Sequence, residues 1–196
     1  MPLSSTPILR SPTLAWGGLY GANLVEPGLA AENIRKAYQL RDRVSEWERF
    51  NITANYYLEV TGELEKAAQT FELWAHAYPR DFFPHTGSAL IYEYLGQYEK
   101  TAAEELEAIR LFPDNPNDYS NLMESYISLN RLDEAKTMYG QAISRKLDDP
   151  FLHDDLYAVA FLQGDADEMK RQTAWAADKP SAEGIGVQSE IDRSQY

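Results

Sequence analysis

Three histidines, His76, His85 and His153, are the residues of this chain best suited to acid–base or metal chemistry. His85 and His153 fall at the same repeat position with one helical pair between them, which makes a shared metal imaginable. The run His153-Asp154-Asp155 has the residue types of a metal cluster. On a helix, consecutive side chains point about 100° apart, so these three do not converge without ligands from elsewhere. Carboxylates total 31, so the chance pairs abundant in so acidic a chain carry no information. Gly184-Ile185-Gly186 does not follow a strand, which removes a dinucleotide-binding reading. Asn51-Ile52-Thr53 has the pattern of a glycosylation acceptor but lies mid-helix with no secretion signal upstream. The absence of cysteine excludes disulfides, thiolate nucleophiles and cysteine-based metal sites together. The expectation is therefore a chain that is no enzyme, with no catalytic residue, no metal and no cofactor.

The elements that must position any site follow from a repeat. Phe82 to Asp149 divides into two units of 34 residues that superimpose without a gap. Each has a turn residue fifteenth (Gly96, Asn130), a large side chain seventeenth (Tyr98, Leu132) and an alanine twenty-seventh (Ala108, Ala142). Gly62 lies 34 residues before Gly96, and Gly164 lies 34 after Asn130. Self-similarity at this period describes stacked helix–turn–helix units rather than one globular core. The turn positions suit glycine and asparagine because a left-handed residue after a helix is cheap for few others. Ala67, Ala108, Ala135, Ala142 and Ala176 fall where paired helices must approach closely, under Tyr92, Leu122, Tyr126 and Leu156.

Helices are expected at 14–24, 27–41, 45–60 and 64–77, with later breaks at Gly96, Pro113, Asn130 and Gly164. Gly17, Gly18 and Gly21 weaken the first of these, whereas Pro27 suits a first turn. The interval from Val25 to Gly62 is 37 residues, so about three are inserted near 42–45, where Ser45 and Glu48 form a capping box. Tyr78-Pro79 closes the second unit and Lys179-Pro180 the fifth. Residues 1–13, with Pro2, Pro7 and Pro12 among serines, are expected to be extended or disordered. Residues 181–196 form a terminal capping helix or a truncated sixth unit, with Val187 and Ile191 on one thin stripe.

Composition narrows the partner. Lys and Arg number 18 against 31 Asp and Glu, a net charge of −13. Such a field repels phosphate backbones and anionic headgroups, so neither nucleic acid nor membrane is the expected partner. No stretch has the length and apolarity of a signal peptide or membrane span, and the plain reading is cytoplasmic.

The phased residues resemble tetratricopeptide repeat proteins, whose pattern is W-x2-L-G-x2-Y, then A-x3-F, then P. The fourth unit carries Tyr119, Leu122, Tyr126, Ala135, Tyr139 and Ala142, with Met123 for the glycine and Leu147 for the proline. The third carries Ala89, Tyr92, Gly96, Tyr98, Ala108 and Pro113, while Thr101 and Glu105 depart at the alanine and aromatic positions. The second has Gly62, Ala67, Phe71 and Pro79, with Trp74 in place of a small residue; the fifth has Leu156, Gly164, Ala176 and a displaced Pro180. The likeness covers about residues 14–180 and implies units at 11–44, 48–81, 82–115, 116–149 and 150–180. It implies an all-α right-handed solenoid, and for His85 and His153 a place in the slot this family fills with a large aromatic. Segments such as 30–46 and 130–153 also look like repeat arrays of bacterial serine/threonine kinases and signalling regulators. No G-x-G-x-x-G, H-R-D or D-F-G motif is present, so that likeness concerns context and not activity.

In this family the first helix of each unit lines a concave groove. Carried over by phase, the lining is Arg49, Tyr56 and Glu59, then Phe83, Thr86, Leu90, Glu93 and Tyr94. It continues with Asn117, Ser120, Asn121, Glu124 and Ile127, and ends with Phe151, Asp154, Asp155, Phe161 and Leu162. Aromatics among carboxylates suit a protein or peptide segment that is basic and carries apolar anchors. Phe151, Phe161 and Leu162 have packing under a neighbouring helix as their competing role. Lysine is absent from every one of these positions, which disfavours the family's grip on a terminal carboxylate. The implied function is a protein–protein interaction scaffold, a module of a larger bacterial signalling protein. The alternative is a structural or self-assembling array without a groove ligand.

Overall fold

A computed structural model describes residues 27–177 and residue 179. The expectations for 1–13, for a helix at 14–24 and for the tail 181–196 lie outside those residues. Among the described residues every regular element is helical. The chain divides after Ala77 into two compact bodies.

The N-terminal body contains α1 (Pro27–Gln39), α2 (Glu46–Asn55) and α3 (Leu64–Ala77). A 3-10 turn at Arg41–Arg43 takes up the inserted residues, and α2 then restarts on the expected capping box. Ser45 Oγ accepts from the Glu48 amide (3.3 Å) while Glu48 Oε2 accepts from the Ser45 amide (2.9 Å). This reciprocal pair satisfies two of the orphan donors of a helix start. The expected helix at 45–60 differs in its second half, where Tyr56–Thr61 forms a wider π-type turn. After the other repeat turns a backbone N–H reaches five residues back, as Gln97 to Tyr92 (2.8 Å) and Asp165 to Ala160 (2.9 Å). Here Glu63 reaches six back, to Tyr57 (2.9 Å). The extra residue widens the turn and stacks Tyr56 on Tyr38, centroids 3.8 Å apart. Trp74 is fully enclosed, as its size in a small-residue slot implies, with Trp47 edge-on at 5.1 Å and Phe71 at 6.1 Å.

The C-terminal body contains α4 (Phe83–Tyr94), α5 (Tyr98–Leu111), α6 (Pro116–Ser128), α7 (Leu132–Ser144), α8 (Pro150–Gln163) and α9 (Ala166–Ala177). Helices pair as α4/α5, α6/α7 and α8/α9, and α6 packs against both α5 and α8. Asn115 and Asp149 cap α6 and α8 by accepting the amides of Asn117 and Phe151, each ahead of a proline in the first turn. Gly62, Gly96, Asn130 and Gly164 all have positive φ, between 57° and 71°, and each joins two helices. Lys146, after α7, is left-handed as well, a position that has no glycine to mark it.

The core of this body runs along the paired helices through Tyr119, Leu122, Met123, Tyr126, Ala135, Ala142, Leu152, Leu156 and Val159. Ala67, Ala108, Ala135 and Ala142 are wholly buried, as close helix approach requires. Ala176, on the last described helix, and Tyr92 are only half-buried.

Candidate functional site

The histidines sit in helix contacts. His85 on α4 reaches Glu104 on α5 through Nδ1 (2.7 Å). His153 on α8 is buried, stacked on Trp175 at 3.6 Å, with Nε2 on Asp148 (2.8 Å) and Nδ1 on Gln172 (2.6 Å). Both rings thus stand between the two helices of a pair, where the repeat pattern has an aromatic. His153, Asp154 and Asp155 diverge as helical geometry demands: Asp155 turns to Ser120 on α6. Among the described residues, no three His, Asp or Glu side chains gather to hold a metal.

The face of the first helices presents a different chemistry. Glu93 on α4, Glu124 on α6 and Asp154 on α8 come from three successive pairs, and stacking places their charges within reach of one another. Loss of surrounding water pushes the Glu124 carboxyl up, and the charges of Glu93 and Asp154 push it further. Burial also raises Glu93 and Asp154. Glu124 keeps solvent access as a residue while surrounding protein crowds its carboxyl. The same first helices carry Tyr94, 62% exposed, with Phe161 and Leu162 at 57% and 56%. Leu90 is half-buried and Asn117 exposed on the same helices.

Several residues expected to line this face turn inward instead. Thr86 on α4 is buried and donates to Asp118 on α6 (3.4 Å). Ser120 donates to Asp155 (2.5 Å), which buries that carboxylate between α6 and α8. Asn121 donates to Glu105 on α5 (2.9 Å), and Ile127 packs on the core. Phe83 stacks on Phe82, which stacks in turn on Phe112. The phase of a helix places these positions near the groove edge; a carboxylate on an adjoining helix draws in Thr86, Ser120 and Asn121, because a buried polar group must be paired. In the N-terminal body, Arg49 is exposed and pairs with Glu46 (3.6 Å), and Tyr56 and Glu59 lie in the π-type turn.

Sequence reasoning missed Asp118, whose burial beneath the face its pattern does not announce. Glu105 did leave a signal, as a carboxylate at a position that should be aromatic.

Paired antiparallel helices, turned at 34-residue intervals by a left-handed residue and stacked on neighbouring pairs, define the tetratricopeptide-repeat fold. Solved structures agree. A thermophilic TPR protein of Thermus thermophilus, TTC0263, superimposes with a TM-score of 0.71 at 18% identity, over 93% of this chain and 97% of that one. MamA of MSR-1 gives 0.58 at 17% identity, over 94% and 93%. The first TPR of Spaghetti (RPAP3), bound to the HSP90 peptide SRMEEVD, gives 0.55 at 18% identity, over 61% and 94%. No protein-family model matches the chain, and no curated protein does either. The likeness is thus one of fold.

Proposed function

We propose that this chain is a protein-interaction module whose partner lies along the α4, α6 and α8 face of the C-terminal body. The single observation that carries the reading is the row Glu93, Glu124 and Asp154, on helices that also expose Tyr94, Phe161 and Leu162. A concentration of like charge raises the local density and on-rate of cations. Exposed aromatics supply the affinity that surface ion pairs seldom do. The partner is therefore a basic segment with apolar anchors. The RPAP3 repeat supports peptide binding by the fold and contrasts in sign, since its peptide SRMEEVD ends in acids. No described helix is long and apolar enough to cross a membrane. The likeness of 30–46 and 130–153 to bacterial signalling arrays supports a place in a larger signalling protein.

The test is a random peptide library panned on the full chain, followed by kinetics on the enriched sequences. Enriched peptides should be basic and aromatic-seeking, and should lose on-rate as salt shortens screening to about 8 Å. Glu93→Gln with Glu124→Gln should reduce that salt dependence, and Tyr94→Ala should speed dissociation. Enrichment of acidic peptides, or binding that none of the substitutions alters, would put the partner elsewhere.

A further inference from the structure

Three carboxylates of the C-terminal body are buried at successive helix contacts: Glu105 on α5, Asp118 on α6 and Asp155 on α8, at 1%, 0% and 7% exposure. Each meets only neutral donors. Asn121 reaches one oxygen of Glu105, Asn115 (2.8 Å) and Thr86 reach one oxygen of Asp118, and Ser120 reaches Asp155. No protein donor reaches Glu105 Oε2 or Asp118 Oδ2. The charges acting on them are acidic on every packed element that contributes one: Glu93 from α4, Glu104 from α5, Asp118 and Glu124 from α6, and Asp154 from α8. From α7 and α9 no titratable group is among those acting on the three.

We propose that the C-terminal body is a proton-linked scaffold, which takes up protons as its helices stack and loosens as the solution turns alkaline. An ionised carboxylate held between helices without a cation loses its hydration and gains nothing equivalent. Protonation removes that cost and supplies an O–H donor. In line with this, burial first and Glu124 and Asp154 next push Asp155 up to about 8. Burial pushes Asp118 up to about 6. Glu105 is raised well above the carboxylate range, by burial and then by Asp118.

The sign follows from linkage. A group whose folded pKa lies above its unfolded one contributes stability fully present below the unfolded value and lost as pH rises through the folded value. The unfolded values are 3.8 for Asp and 4.5 for Glu, so stability should fall from pH 5 upward. Surface carboxylates held low by hydrogen bonds, such as Asp148 with His153 and Lys179, act in the opposite sense, with a folded value below 3.8. The two windows are separate.

The experiment is denaturant unfolding of the full chain at pH 5, 6, 7, 8 and 9, with hydrogen exchange assigning the change to α4–α9. Each extra proton held by the folded state changes the unfolding constant tenfold per pH unit, about 1.4 kcal/mol. Asp155 by itself should raise the unfolding constant on the order of tenfold to a hundredfold between pH 6 and 8, and Glu105 should multiply that rise to the extent that it keeps its proton across the same interval. Asp155→Asn should remove its share of that rise, Asp118→Asn should flatten the step near 6, and Glu105→Gln should flatten the remainder and raise stability at pH 9. The exposed control Glu99→Gln should leave the profile unchanged. A flat profile, one that climbs toward alkaline pH, or a control that flattens it as much as the buried variants would overturn the proposal. Carboxyl carbon NMR titration of the unsubstituted chain decides independently of any variant. Three carboxyls titrating above pH 5.5 (roughly, from the shifted range of buried acids) are expected, and titration of all below that range refutes it.

Discussion

Ala142 on α7 has no exposed surface and belongs to the core that includes Tyr119, Leu122, Tyr126, Ala135 and Met138. Replacing it by leucine adds three carbons to a site whose other occupants are already enclosed. Two outcomes are physically distinct. If the contact held spare room, burying three more carbons at about 0.8 kcal/mol each would stabilise the body by roughly 2 kcal/mol. If the helices meet at native density, the leucine must push them apart or leave its rotamer, at a cost of about 1–3 kcal/mol. The repeat demands the second, because the alanine recurs where backbones approach. For a body of this size each kcal/mol corresponds to about 4–8 °C in Tm. Urea unfolding followed by circular dichroism, with hydrogen exchange at α6 and α7 amides, locates the loss. Ala103→Leu on the exposed side of α5 is the control and should stay within about 0.5 kcal/mol. Unchanged or increased stability in Ala142→Leu would show that the twenty-seventh position is not the point of closest approach.

Gly164→Ala should cost about 1–2 kcal/mol from backbone strain alone, since φ is +71° and an added Cβ meets nothing within 4 Å; thermal unfolding reads it. Ser45→Ala should lose about 0.5–2 kcal/mol with the capping box, seen as faster exchange of the Glu48 amide. Trp74→Ala should cost about 3–5 kcal/mol and remove the near-ultraviolet signal of its contacts with Trp47, Phe50 and Phe71.

The repeat was legible because it rests on local chemistry. Gly62, Gly96, Asn130 and Gly164 occupy left-handed turns, and only residues with little or no Cβ penalty adopt that conformation cheaply, so residue type and spacing suffice. The capping box at Ser45 is local in the same way, closed by a residue three positions on. Enclosure of Ala67, Ala108, Ala135 and Ala142 follows from size at a fixed phase.

What phase could not decide is how each polar side chain near a helix edge resolves its hydrogen bonding. Thr86 and Asp155 sit on the first-helix face by count yet are buried, because Asp118 and Ser120 on the neighbouring helix offer partners. Those partners are 32 and 35 residues away in sequence, and only stacking brings them together. The π-type turn at Tyr56–Thr61 is likewise a tertiary outcome: its extra residue leaves the 34-residue interval intact and shows only in the six-residue reach of Glu63 to Tyr57. The sequence by itself determined the period, the turns and the helix pairing. Tertiary structure alone decided which acids face solvent and which are shut between helices without a cation, since burial depends on what the next repeat places opposite.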